Sequence, residues 1–70
     1  MTYTFRRVSY WEIEVVRESD KKVVAKLMGG VDWHVFSADS KKLIAYKIAH
    51  YLDDAKKEFL KLAKKRRGHF

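Results

Sequence analysis

The sequence predicts an α+β fold: a three-stranded antiparallel β-meander with one long C-terminal α-helix packed across one face (βββα). Two observations predict it. Apolar residues alternate with polar ones through the first half of the chain, which is typical of strands with one buried face. In the second half they recur every three or four residues, which indicates an apolar stripe along one side of a helix.

The strands are predicted at residues 3–17, 22–28 and 31–36, with the odd positions facing the helix. Residues 18–21 are typical of a short hairpin loop, and the pair Gly29-Gly30 gives the backbone the freedom that a tight turn needs. The first run is long, and its odd positions turn polar between Arg7 and Ser9. It could therefore equally form two strands.

The helix is predicted to begin after Ser37 or Asp39, because either side-chain oxygen can accept a hydrogen bond from the free N–H groups of a first turn. Gly68 is a natural stop. The stripe covers about 19 residues, or about 28 Å, which is enough to lie across a sheet and complete its core. Its members are Ile44, Ile48, Tyr51, Leu52, Ala55, Phe59 and Leu62.

Length and composition limit the classes of protein. Seventy residues predict one small domain, residues 1–70, and 47% hydrophobic residues favour a folded domain over a disordered basic tail. The absence of cysteine excludes a disulfide scaffold, a Cys-ligated zinc site and a thiol nucleophile. The sequence has neither a secretory signal nor an apolar run long enough to cross a membrane, so we expect a soluble, intracellular protein of the cytoplasm.

The net charge of +7 is unevenly distributed along the chain. Residues 1–55 contain nine basic and eight acidic side chains, a net +1. Residues 56–70 contain seven basic side chains and only Glu58, a net +6. The basic helix segment, residues 56–67, carries Lys56, Lys57, Lys61, Lys64, Lys65, Arg66 and Arg67.

Three interpretations of the basic helix segment are open. Cations near a helix C-terminus interact favourably with the helix dipole, but that effect is confined to the last turn, whereas these cations span twelve residues. An acidic protein surface could bind them. Phosphate groups could do so as well, since each neutralised phosphate releases counterions. On this helix Lys57, Lys61, Lys64 and Arg67 would share the face opposite the apolar stripe.

The outward face of the sheet is predicted to mix aromatic and basic side chains, a composition that suits base stacking and phosphate contact. Arg6 and Arg7 are candidates for secondary phosphate contacts. The possible sheet-face contacts are Tyr10, Lys26, His34 and Phe36. The same half-apolar face could instead be buried against a protein partner, or be ordinary surface.

Three strands followed by one helix, with the segment Trp33-His34-Val35-Phe36 leading into that helix, resemble the integrase arm-type DNA-binding domains over residues 10–60. Those domains lay the exposed face of the sheet in the major groove. The resemblance is one of element order, and it implies a DNA-binding sheet face.

Neither an enzyme nor a metal or cofactor site is predicted. The three histidines are scattered, and Tyr46, His50 and Asp54, four residues apart on the predicted helix, are typical of surface electrostatics. Lys41 and Lys42 fall in the predicted first turn, where they could hold a phosphate or simply be solvated. Leu43 and Tyr46 lie outside the stripe and could form a contact between two copies of the chain.

The function predicted from the sequence is non-catalytic: an accessory or regulatory protein that binds nucleic acid, DNA foremost, through its basic helix segment. The alternative is a protein-binding modulator or inhibitor, virus-encoded in one version of the hypothesis, that docks on an acidic surface or on the nucleic-acid channel of a host complex.

Overall fold

The computed structural model describes residues 2–66 and 70, which form five β-strands followed by one α-helix. The strands are β1 (Tyr3–Ser9), β2 (Glu12–Arg17), β3 (Lys22–Met28), β4 (Trp33–Ser37) and β5 (Leu43–Ala49), and the helix is α1 (Leu52–Lys65). The strands pair antiparallel and in chain order within one sheet. The α+β class is confirmed, whereas the predicted three-stranded meander is wrong.

The first predicted strand, residues 3–17, is in fact the pair β1 and β2, joined by a turn at Tyr10 and Trp11. The register between the two strands shifts between Arg7 and Ser9, where the odd positions turn polar. The Arg7 guanidinium donates hydrogen bonds to the carbonyl oxygens of Ser9 and Tyr10, at 3.4 and 2.9 Å. These bonds help to hold the turn that divides the long run in two.

Strand β5 occupies a segment that its spacing predicted as helix. The register of β5 with β4 shifts twice, and Lys47 has a φ of 50°. Such irregularities break the two-residue alternation of a strand, so adjacent residues, and residues three apart, can pack on the same side. The side chains of β5 that pack against the core are Ile44, Ala45, Ile48 and Ala49. Their spacing imitates the stripe of a helix.

The helix begins at Leu52, not near Asp39, and its N-cap residue is Tyr51, which has an extended backbone. Ser37, the other predicted N-cap, is the last residue of β4. Two aspartates, Asp53 and Asp54, lie in the first turn, where negative charge interacts favourably with the helix dipole. The second half of the predicted stripe does lie on this helix.

The core lies between α1 and one face of the sheet. The buried odd positions of β2, β3 and β4 face the helix as predicted; they are Ile13, Val15, Ala25, Leu27, Trp33 and Val35. Two even positions depart from the prediction, because the register of β2 and β3 shifts beside them: Val16 is buried and Val24 packs against the core. Helix α1 contributes Ala55, Phe59 and Ala63, and Phe70 packs edge-to-face on Phe59 with ring centroids 5.0 Å apart. Because α1 follows β5 directly and packs on it, the helix ends where the β2–β3 and β4–β5 turns lie.

Candidate nucleic-acid interface

Three segments, distant in the sequence, lie at the same end of the molecule. They are residues 17–22 around the β2–β3 turn, residues 38–42 in the β4–β5 turn, and residues 62–66 at the end of α1. Lys42 and Arg66, from two of these segments, line the same cleft. Together the three segments contain eight basic and three acidic side chains, a net +5. We call this end the basic pole.

In the β2–β3 turn both acidic side chains form ion pairs with neighbouring basic side chains. Arg17 donates to both carboxylate oxygens of Asp20, at 2.9 and 2.5 Å. This hydrogen bond lowers the pKa of Asp20 to about 2 and raises the pKa of Arg17. Glu18 is paired with Lys21. Among the described residues Lys22 forms no ion pair, so its ammonium group is left to contact a partner at the basic pole.

The β4–β5 turn holds its carboxylate in the same way. The Ser37 hydroxyl donates to Asp39 at 2.6 Å, and the Lys41 backbone N–H donates to the same carboxylate at 3.0 Å. The bond from Ser37 is the main cause of the lowered pKa of Asp39. Lys41 and Lys42 therefore lie in a turn between strands, and their predicted place in the first turn of a helix is wrong.

The cations of the basic helix segment divide into two groups. Lys57, Lys61 and Lys64 are exposed along the side of α1 that faces away from the sheet, as predicted, and Lys61 pairs with Glu58 at 3.3 Å. Lys65 and Arg66 are also exposed and lie at the basic pole. Arg67, the last member of the predicted row, lies outside the described residues.

The other predicted phosphate contacts lie elsewhere. Lys56 is half-buried, with its ammonium group 5.7 Å from the centroid of the Phe5 ring. Arg6 pairs with Glu14 on the neighbouring strand, its Nε 3.0 Å from Oε1. Arg7 is bound to the backbone of the β1–β2 turn. The structure therefore does not bring Arg6, Arg7 and Lys56 to the basic pole.

On the outer face of the sheet, the predicted contact residues interact with neighbouring side chains of the same face. Lys26 lies 3.3 Å from Glu12, so its charge is balanced on the adjacent strand. His34 stacks on Tyr46 with ring centroids 4.8 Å apart and accepts a hydrogen bond from the Lys47 backbone N–H at 2.9 Å. Phe36 lies beside Lys26 in the register of β3 and β4. This face offers rings but little free positive charge.

Exposed aromatic side chains collect at the opposite end of the molecule. We call residues 10–11, 29–32 and 50–54 the aromatic pole; they include three aspartates and no lysine or arginine. The exposed fractions are 72% for Tyr10, 49% for Trp11, 80% for Val31 and 67% for Tyr51. Tyr10, predicted on the sheet face, thus lies in a turn at this pole.

His50 also lies at the aromatic pole, ahead of the helix, with its Nδ1 3.3 Å from Asp32. The predicted helical trio of Tyr46, His50 and Asp54 is therefore wrong, because Tyr46 belongs to β5 and only Asp54 to α1. Sequence spacing could not identify Asp32 as the partner of His50, because the two residues are 18 positions apart.

Within residues 2–66 and 70, no group of three or more histidine or acidic side chains is arranged to hold a metal ion. No helix in that part of the chain is long and apolar enough to cross a membrane. Comparison with known proteins finds no matching family model, curated protein or solved structure. The interpretation of the two poles therefore rests on their chemistry.

Proposed function

We propose that this chain is a small, non-catalytic accessory or regulatory protein of the cytoplasm that binds nucleic acid, DNA foremost, through its basic pole. The observation that carries the proposal is the state of the acidic side chains there. Glu18, Asp20 and Asp39 are each engaged by a neighbour within their own turn. They do not neutralise the cations on the other segments.

Six cations of the basic pole have no ion pair among the described residues: Lys22, Lys41, Lys42, Lys64, Lys65 and Arg66. Gathering like charges in this way costs folding free energy through repulsion, so it favours a polyanionic partner. The shorter dimensions of the molecule are 24 and 22 Å. A duplex carries about one charge per 1.7 Å of its axis, so a surface of this width can contact several phosphates.

The test is binding to a labelled oligonucleotide by fluorescence anisotropy across a salt series. We expect a Kd of about 1 µM or lower at low salt and a log–log salt slope of several units. The double variant Lys64→Gln, Arg66→Gln should reduce that slope by about two, because each lost phosphate contact removes about one unit.

A matched control is the double variant Arg7→Gln, Lys47→Gln. It removes the same charge from positions away from the basic pole, and we expect it to leave the slope within about half a unit of the wild-type value. Absence of binding by the wild-type chain at low salt would refute the proposal. Equal effects of the two double variants would show that net charge, not the basic pole, determines binding.

The alternative function, a protein-binding modulator, is favoured by the aromatic pole. Aromatic side chains are enriched where proteins contact one another, whereas lysine is depleted there. Under this hypothesis one defined partner co-purifies after nuclease treatment, Tyr10→Ala weakens its capture, and the variant Lys64→Gln, Arg66→Gln does not. If Tyr10→Ala retains the partner fully, the aromatic pole is not its binding surface.

A further inference from the structure

A cleft of about 340 Å³ opens at the basic pole, between the end of α1 and the β3–β5 part of the sheet. Its walls combine two kinds of chemistry. Lys42 and Arg66 provide positive charge, while Val24, Ile44 and Phe70 provide apolar surface. Volumes of this order hold small organic ligands, and a few polar groups on apolar walls are typical of such sites.

The apolar side chains of the cleft are held in place by packing against the core and by one hydrogen bond. Phe70 is 4% exposed and packs on the buried ring of Phe59. The Tyr3 hydroxyl donates to the Phe70 carbonyl oxygen at 3.3 Å, which ties this residue to β1. Val24 and Ile44 both pack against the core. A ligand therefore meets an apolar surface that is already ordered before binding, so little ordering entropy is lost.

The anion-binding part depends on the two cations. Ser37 also lines the cleft, but its hydroxyl donates to Asp39 and accepts from the Lys42 backbone N–H at 3.1 Å. It is therefore already engaged. The Lys42 ammonium and the Arg66 guanidinium have no ion-pair partner among the described residues and are left to bind a ligand's anionic group.

We propose that this cleft holds one unstacked nucleotide, with its base against the apolar walls and its phosphate on Lys42 and Arg66. The inference rests on the nucleic-acid function proposed above and narrows its substrate class. In a duplex the bases are stacked and paired, so only a single strand, or a frayed end, can place a base in the cleft. The chain therefore binds single-stranded nucleic acid in preference to duplex.

The experiment compares a single-stranded oligonucleotide with the blunt duplex of the same sequence and length, using wild type and two variants. Leu43→Ser changes an exposed apolar residue of the cleft wall, and Tyr46→Ser changes an exposed residue of the same strand outside the lining. Thermal unfolding of both variants establishes that each one folds.

We expect the wild-type chain to bind the single strand at least about fivefold more tightly than the duplex. Leu43→Ser should remove most of that preference while leaving duplex affinity unchanged, and Tyr46→Ser should keep the preference. A deoxynucleoside monophosphate should compete for the single-strand site at concentrations where inorganic phosphate does not.

Other results separate the two proposals. Binding of single strand and duplex with equal affinity, or equal effects of Leu43→Ser and Tyr46→Ser, would overturn the nucleotide cleft and leave the basic pole as a phosphate-binding surface. Failure to bind either oligonucleotide would overturn the proposed function and the cleft with it. If Leu43→Ser does not fold, Lys42→Gln takes its place, and it too should weaken single-strand binding more than duplex binding.

Discussion

Gly29 lies against two tryptophan rings at the aromatic pole. A Cβ atom at this position would lie 3.0 Å from Cε3 of Trp11 and 3.0 Å from Cε2 and Cη2 of Trp33. Trp11 is half-exposed and can move, but Trp33 is 5% exposed and belongs to the core. The absence of a side chain at Gly29 therefore allows the β3–β4 turn to approach the indole rings.

We predict that Gly29→Ala lowers the free energy of unfolding by about 1–3 kcal/mol, because the Trp33 ring must shift within a packed core. Gly30→Ala is the matched control, since no atom lies within 4 Å of a Cβ there, and it should change stability by less than about 0.5 kcal/mol. Urea unfolding followed by tryptophan fluorescence measures both. Equal stability of the two variants would contradict the packing described for Trp33.

The pair Arg17–Asp20 predicts a pH dependence. The pKa of Asp20 is lowered from 3.8 to about 2 by its hydrogen bond from Arg17. Since the folded state holds the carboxylate in its ionised form, the pair stabilises the fold above the ordinary pKa, and this contribution is lost as the pH falls toward 2.

The difference in unfolding free energy between wild type and Asp20→Asn should therefore be constant near neutral pH and should shrink as the pH falls below about 4. Arg17→Gln should remove the same pH-dependent part, because it removes the donor. Chemical unfolding at a series of pH values measures this. A difference that stays constant down to the lowest pH would show that Asp20 is not held by Arg17.

At the scale of elements, the docking of α1 depends on Phe59. This side chain is fully buried, and its ring meets those of Tyr3, Phe5 and Phe70 edge-to-face, with centroid distances of 5.6, 6.1 and 5.0 Å. The four rings join the first strand, the helix and the last described residue. Much of the attachment of the helix to β1 passes through this cluster.

Phe59→Ala should cost about 3–5 kcal/mol of unfolding free energy, a large part of the total for so small a domain. The neighbouring substitution Leu60→Ala removes a residue that is 39% exposed, and it should cost less than about 1 kcal/mol. The two are compared by urea unfolding monitored by circular dichroism. If both variants lose the same stability, the helix does not dock through Phe59.

The elements that the sequence predicted well are those with regular spacing. Strands β2 and β3 alternate over residues 12–15 and 25–28, away from their register shift, and the Phe59 side of the helix keeps its three- and four-residue spacing. Strand β5 could not be predicted this way, because its shifts of register allow the adjacent pairs Ile44–Ala45 and Ile48–Ala49 to pack against the core, a spacing typical of a helix. The segment Leu43–Ala49 forms a strand because it packs beside β4 in the folded molecule, and this tertiary contact cannot be read from the spacing of its residues.

At the scale of the whole molecule, the five-stranded meander separates two kinds of surface. Turns alternate between the ends of such a sheet, so the second and fourth turns share one end with the C-terminus of α1. The sequence shows that the excess positive charge lies on residues 56–67. It does not show that the lysines of the β2–β3 and β4–β5 turns lie at the same end of the molecule. A helix that begins after Asp39 would separate Lys41 and Lys42 from Lys64 and Lys65 by its whole length, so the spacing of the sequence does not group these lysines.

The most direct test of the basic pole is an NMR titration of the isotopically labelled chain with a short oligonucleotide at low salt. We expect the largest amide shift changes in residues 38–42 and 62–66, with residues 17–22 next, because these segments form the basic pole. The outer sheet positions of Glu14, Lys26 and Phe36 should change little. Shift changes centred on those outer positions or on the aromatic pole, with the basic pole unchanged, would contradict binding through the basic pole.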